Sequence, residues 1–168
     1  MRSLTKSTAH FSTILPTILL AALVVLIMPM QALQAAPSTS KADMKDLRKD
    51  EPVKVVYHVS DGVDQATAAL RNIRNHLSAD PSVKISVVTH ANGIDFLLDG
   101  AKDKNGNLFE PNVQELVKMG VDFRVCKITL ERRMIDPKRV IEEAKLVPSG
   151  VAEVARLQAK EGYVYLRP

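Results

Sequence analysis

The sequence predicts an α/β domain, a three-layer α/β/α sandwich on a five-stranded, mainly parallel sheet. Three observations predict it. Short segments rich in Val and Ile read as strands that are nearly continuous in apolar character, as strands covered on both faces do. Segments with apolar residues at helical spacing lie between them. The first strand, helix and second strand follow one another at the spacing of a right-handed parallel crossover.

Val53 to Val59 is the first strand, followed by a Ser60-Asp61-Gly62 turn carrying cap residues. Val63, Ala66, Leu70, Ile73 and Leu77 form the apolar stripe of the first helix, which Ser78-Ala79-Asp80-Pro81 ends. Val83 to His90 is the second strand. Ile94 to Leu98 reads as a helical turn or two, and Asp99 to Asn107 as an exposed loop. Pro111 suits a first helical position, Val113, Leu116 and Val117 continue the stripe, and Gly120 stops it. Val121 to Cys126 is the third strand, and Thr129 to Met134 a helical turn. Asp136-Pro137 is expected to cap a further helix bearing Val140, Ile141 and Ala144. Lys145 to Val147 is a short fourth strand, Pro148-Ser149-Gly150 opens a last helix, and Tyr163 to Leu166 is the fifth strand.

The N-terminus has a different character. Arg2 and Lys6 give it a basic start, no charged residue occurs from Phe11 to Ser40, and small residues Ala32, Ala35 and Ala36 follow the apolar run. That order is a secretory signal pattern over residues 1–36, predicting a periplasmic or secreted protein. The run also approaches the roughly 20 apolar residues of a membrane span, so an uncleaved anchor is the alternative. Residues 37–51 read as a polar linker, and residues 52–168 as one domain large enough for a single core. Removing Arg2 and Lys6 from the 23 basic residues leaves 21 against 19 acidic ones. That balance, without a basic patch interleaved with aromatics and without Trp, argues against nucleic acid as a partner.

In parallel sheets, ligands bind beyond the carboxyl ends of the strands. His58 lies near the end of strand one, His90 ends strand two, Cys126 ends strand three, and Ser149 follows strand four. Cys126 is the only cysteine, so it cannot form an intramolecular disulfide. At a strand-to-helix junction its thiol can face solvent near helix N–H groups that favour the thiolate. Equally, it can be one more small buried hydrophobe. His58 and His90 can move protons or simply pack. Asn92-Gly93 can touch a ligand or only make a turn, and Ser149 reads first as a helix cap. Lys127, Arg132 and Arg133 can attract an anionic sulfur substrate or form a solvated face. Cys-x-x-Cys, His-Glu-x-x-His and phosphate-loop spacings are missing, and no metal or cofactor is expected.

Three runs and the tail carry a resemblance. They are Lys54 to Val59, Val87-Val88-Thr89-His90-Ala91-Asn92-Gly93, Gly120 to Cys126, and Val147-Pro148-Ser149-Gly150 through Gln158 with Gly162 to Pro168. With these the chain resembles the DsrE/DsrF-like, YchN-like family of sulfur-relay proteins. The resemblance implies the same sandwich, homo-oligomers such as trimers or hexamers, and a persulfide carried on Cys126. It implies sulfur donor and acceptor proteins, or small sulfur compounds, as partners. Two departures stand out: Lys127-Ile128 replaces the Asn-Thr pair that tends to follow the cysteine, and the export signal contrasts with cytoplasmic relatives.

The expected function is thus an exported sulfur carrier. Cys126 would be the nucleophile, His58 or His90 the proton-transfer group, and Asn92, Gly93, Lys127 and Ser149 the substrate contacts. The alternative is a non-catalytic oligomeric module binding a small ligand or metal at the His58/His90/Cys126 rim.

Overall fold

The computed structural model describes residues 51–168; the expected leader and nearly all of the linker lie outside the described residues. Five strands form one sheet: β1 (Lys54–Val59), β2 (Lys84–Thr89), β3 (Asp122–Cys126), β4 (Ala144–Val147) and β5 (Val164–Leu166). Their spatial order is β4-β3-β2-β1-β5, and all four pairings are parallel. The α-helices are α1 (Val63–Ala79), α2 (Glu110–Lys118), α3 (Lys127–Arg132) and α4 (Gly150–Glu161).

Alternation along the strands divides the sheet into two unlike faces. Val55, Tyr57, Val59, Ile85, Val87, Phe123 and Val125 point to one face. There α1, α2, α3 and the 3-10 segment Ala91–Leu97 bury them with Leu70, Ile73, Phe96, Leu116 and Leu130. Val56 and Val88 point to the other face and cluster with Val154 and Leu157 of α4, with Tyr163 beside them. The sandwich therefore has one thick outer layer and one that is a single helix.

The rest of the α4 face is polar. Arg124 hydrogen-bonds Asp122 at 2.7 Å, pairs with Glu153 of α4, and shares Glu153 with Arg156, which lies 2.7 Å from it. Side-chain exposure is only 17% for Arg124 and 11% for Glu153. Charges this deep are tolerable because each has an opposite partner.

Two segments differ from expectation. The helix predicted after Asp136-Pro137 is a single 3-10 turn, Pro137–Arg139, capped by the Asp136 carboxylate on the Lys138 N–H at 2.9 Å. Val140 is extended and bridges Leu98, and the Ile141 N–H bonds the Leu97 carbonyl. A long-range backbone pairing thus takes the β-branched pair away from the helix. Ala144, expected on that helix, opens β4. In addition, α3 starts directly after Cys126, so Lys127 and Ile128 are helical and no polar turn separates them from the strand.

Hydrogen bonds from Arg156 hold the Glu153 carboxyl below the usual carboxylate range, burial opposes them, and Arg124 adds to the depression. A carboxylate of depressed pKa stabilises the fold above its unfolded pKa, about 4.3, and that contribution is lost as pH falls to the folded value. Urea titration of Glu153→Gln at neutral pH is expected to show a loss of about 1–3 kcal/mol. The gap from wild type should begin to narrow near pH ~4.3, where the carboxyl of the unfolded chain takes up its proton, and close as pH falls through the lower folded value.

Candidate functional site

Side chains on the α4 face at the carboxyl ends of four adjacent strands form a row across the sheet. Tyr165 comes from β5, His58 from β1, His90 from the residue after β2, and Cys126 from the end of β3. The Tyr165 hydroxyl is 2.8 Å from His58 Nδ1, and His58 Nε2 is 2.6 Å from His90 Nε2. One proton lies between the two facing Nε2 atoms, so one imidazole donates and the other accepts. Burial is the main cause that lowers the pKa of both histidines. For His58 the neighbouring His90 and Arg167 lower it further, and Asp61 opposes them. The pair is thereby held neutral near pH 7.

Cys126 is 4% exposed, so the thiol does not project freely into solvent. It is not sealed among aliphatic side chains either, since it lines an open pocket of about 400 Å³ with His90, Thr129, Arg132 and Ser149. Burial pushes the thiol up, and the groups around it more than reverse this. The Thr129 hydroxyl, then the backbone N–H groups of Gly150, Thr129 and Ile128, bring its pKa below the ordinary cysteine value. Cys126 occupies the N-cap position of α3 without a full capping hydrogen bond. The N–H groups therefore act on the sulfur mainly as oriented dipoles.

Gly150, the first residue of α4, makes this approach possible. A Cβ there would lie 2.9 Å from the Thr89 carbonyl oxygen, 3.1 Å from His90 Cβ and 3.2 Å from Cys126 Cβ. Ala91 also lines the pocket, with φ at +49°. Its N–H donates to Thr129 Oγ1 at 3.2 Å and its carbonyl accepts from Arg133 at 3.1 Å, which hold this uncommon conformation in place.

The residues predicted for the site divide. His90, Cys126 and Ser149 share the pocket, and Ser149 also caps α4 by accepting from the Ala152 N–H at 3.4 Å. His58 stands one strand further away, in contact with His90 and outside the pocket lining. Lys127 and Asn92 are exposed and do not line the pocket. Gly93 is buried, and a Cβ on it would fall 2.1 Å from the Val59 carbonyl oxygen. Its N–H bonds the carbonyls of Ser60 and His90, so close backbone packing is what requires glycine here. Sequence reasoning missed Thr129, Gly150 and Tyr165. Thr129 had a signal, because a Cys-x-x-Thr spacing at a helix start brings the N3 side chain back to the N-cap residue. Among the described residues no group of three or more His, Cys, Asp or Glu side chains is placed to hold a metal ion.

Gly150→Ala should press on both Cys126 and His90. We expect a stability loss of about 1–3 kcal/mol, the usual range for overpacking, by urea titration. The native alkylation rate of Cys126 should change with it, and an unaltered rate would show that this contact does not set the thiol's surroundings.

The family model of the DsrE/DsrF-like family matches residues 53–168. A solved structure described as protein of unknown function MTH1491, from Methanobacterium thermoautotrophicum, is 31% identical. It superposes with a TM-score of 0.61 over 69% of this chain and 99% of that one. The YchN protein of E. coli superposes with a TM-score of 0.56 over 70% of this chain and 99% of that one, and at 15% identity it shows the fold alone. No curated protein matches the chain. On the family match and the archaeal relative, the chain belongs to the DsrE/DsrF-like family, a group generally connected with sulfur relay.

Proposed function

We propose that this chain is an exported sulfur carrier that holds sulfane sulfur as a persulfide on Cys126. The observation that carries the reading is a thiol that lines an open pocket beside a histidine and at the start of a helix, surroundings that lower its pKa. The depression comes from the Thr129 hydroxyl and converging backbone N–H groups. The Cys126 thiolate attacks the transferable sulfur of a donor, the new S–S bond replaces the one that breaks, and the donor remnant leaves with the electron pair. In the second half an acceptor thiolate attacks the outer sulfur of the persulfide and Cys126 departs as a thiolate. His90, neutral and on the pocket wall, takes the proton that the acceptor thiol gives up, and His58 and Tyr165 orient it.

On this reading residues 1–36 are a leader and the chemistry takes place in the periplasm or outside the cell, with an uncleaved membrane anchor as the alternative; N-terminal sequencing of the mature protein tests that. Donor and acceptor are proteins or small sulfur compounds, and the carrier works as a homo-oligomer, a trimer or hexamer, measurable by light scattering.

The burial of Cys126 favours a second reading, a non-catalytic module that binds a small ligand in the same pocket. The metal form of that reading has little support. His58 and His90 turn their Nε2 atoms on each other, and only His90 shares the pocket with Cys126.

Intact mass after incubation with polysulfide separates the readings. Wild type should gain one sulfur atom and Cys126→Ser none, whereas equal gain in both removes the carrier reading. Alkylation by iodoacetamide against pH should show a midpoint below the usual thiol value near 8.5, moving up in Thr129→Val, which lacks the hydroxyl. A native thiol that reacts only after denaturation would leave the binding module.

A further inference from the structure

We propose that the pocket beside Cys126 takes a small sulfane-sulfur donor bearing a sulfonate, of the thiosulfate type, and that Arg132 holds the sulfonate. This rests on the reading of Cys126 as a sulfur carrier and names the class of donor. Residues lining the pocket include two arginines and no carboxylate. Arg133 is already committed, with one guanidinium nitrogen 2.6 Å from Asp95 and 3.1 Å from the Ala91 carbonyl. Arg132 forms no ion pair among the described residues, so its charge is available to whatever enters. The Ser149 hydroxyl accepts the Ala152 N–H and keeps its own hydrogen for donation.

The placement of charge selects the donor. Cys126 precedes α3 and Arg132 is its last residue, so the sulfur and the positive charge belong to opposite ends of a six-residue helix. Arginine leans back toward the helix N-terminus, over the pocket. The ligand that fits carries an anionic group on atoms besides the sulfur it surrenders. A small persulfide fails this test, because its charge is confined to the terminal sulfur. Thiosulfate meets it: part of its double negative charge sits on the sulfane sulfur, and the rest is shared over three sulfonate oxygens that a guanidinium can hold. A volume of about 400 Å³ also exceeds what a lone sulfide needs.

The step balances without an oxidant or reductant. The Cys126 thiolate attacks the sulfane sulfur, an S–S bond forms, the S–S bond within thiosulfate breaks, and sulfite leaves with the electron pair. Negative charge grows on the sulfite oxygens as that bond opens. Arg132 then binds the departing group more strongly than the incoming one, which lowers the barrier.

The test uses the full chain, thiosulfate as donor and intact mass as readout, with polysulfide labelling run in parallel. Wild type should take up one sulfur atom from thiosulfate with saturation. Arg132→Ala should raise the half-saturating thiosulfate concentration roughly tenfold or more, as loss of a charge-assisted hydrogen bond does. Arg132→Lys should recover part of that loss. Alkylation of Arg132→Ala by neutral iodoacetamide should match wild type, because Arg132 is not among the groups that set the thiol's pKa. Equal half-saturation in Arg132→Ala and wild type overturns the proposal. So does a wild type that polysulfide labels and thiosulfate does not, which leaves the carrier reading intact. Labelling by neither donor removes the carrier reading and this proposal together.

Discussion

The site depends on how closely the first residue of α4 lies against the ends of β2 and β3. Gly150 rests over the Thr89 carbonyl and between His90 and Cys126, at distances that no side chain would permit. This contact brings the Gly150 N–H to the sulfur and seats Ser149 on the pocket wall. Because α4 is, among the described residues, the one helix whose apolar residues cover this face, its approach also decides how much of the rim stays open. Moved outward by one methyl group, the helix would leave the thiol with the Thr129 and Ile128 groups of its own short helix alone.

The two faces of the sheet divide the work. The face under α1 and α2 has a continuous apolar core and fixes the strand register. Between the sheet and α4 the apolar cluster is Val56, Val88, Val154 and Leu157, and much of the rest of that face holds polar, charged or ionisable groups. Near the sheet's middle these neutralise one another as Asp122, Arg124, Glu153 and Arg156. At the carboxyl rim they become the Tyr165–His58–His90 row, where the same low polarity keeps the imidazoles uncharged. Burial acts in opposite directions on the imidazoles and the thiol. It favours the neutral histidine that can accept a proton, and it opposes the thiolate, which therefore needs its own donors.

The strands and α1 could be read from the chain because their signals are local. Val63, Ala66, Leu70 and Ile73 repeat at helical spacing, and Val55 to Val59 is nearly all apolar. Topology then put His58, His90 and Cys126 on one rim before any coordinates. The order along that rim was not legible. It depends on β5 pairing with β1, which ties Tyr165 to a residue over a hundred positions earlier in the chain. The same limit explains Val140 and Ile141, whose helical periodicity lost to backbone partners at Leu97 and Leu98. Lys127 looked like the cation next to the thiol because it is adjacent in sequence. A helix beginning at that residue turns it outward and leaves Arg132 on the pocket wall instead.

The thinness of the α4 layer has a consequence for access. Val154 and Leu157, set against Val56 and Val88, anchor the helix with few apolar contacts, each burying about 1.5–3 kcal/mol worth of side chain. The opposite layer rests on several times as many. Beyond these, the Arg124–Glu153 pair is what ties α4 to the sheet, so partial opening of this domain should start with α4 lifting and that pair breaking while the strands stay paired, at less cost than unfolding. In that opened form the sulfur meets bulk water and larger visitors. It would also lose the Gly150 N–H that helps to ionise it, so such an opening would trade nucleophilicity for reach.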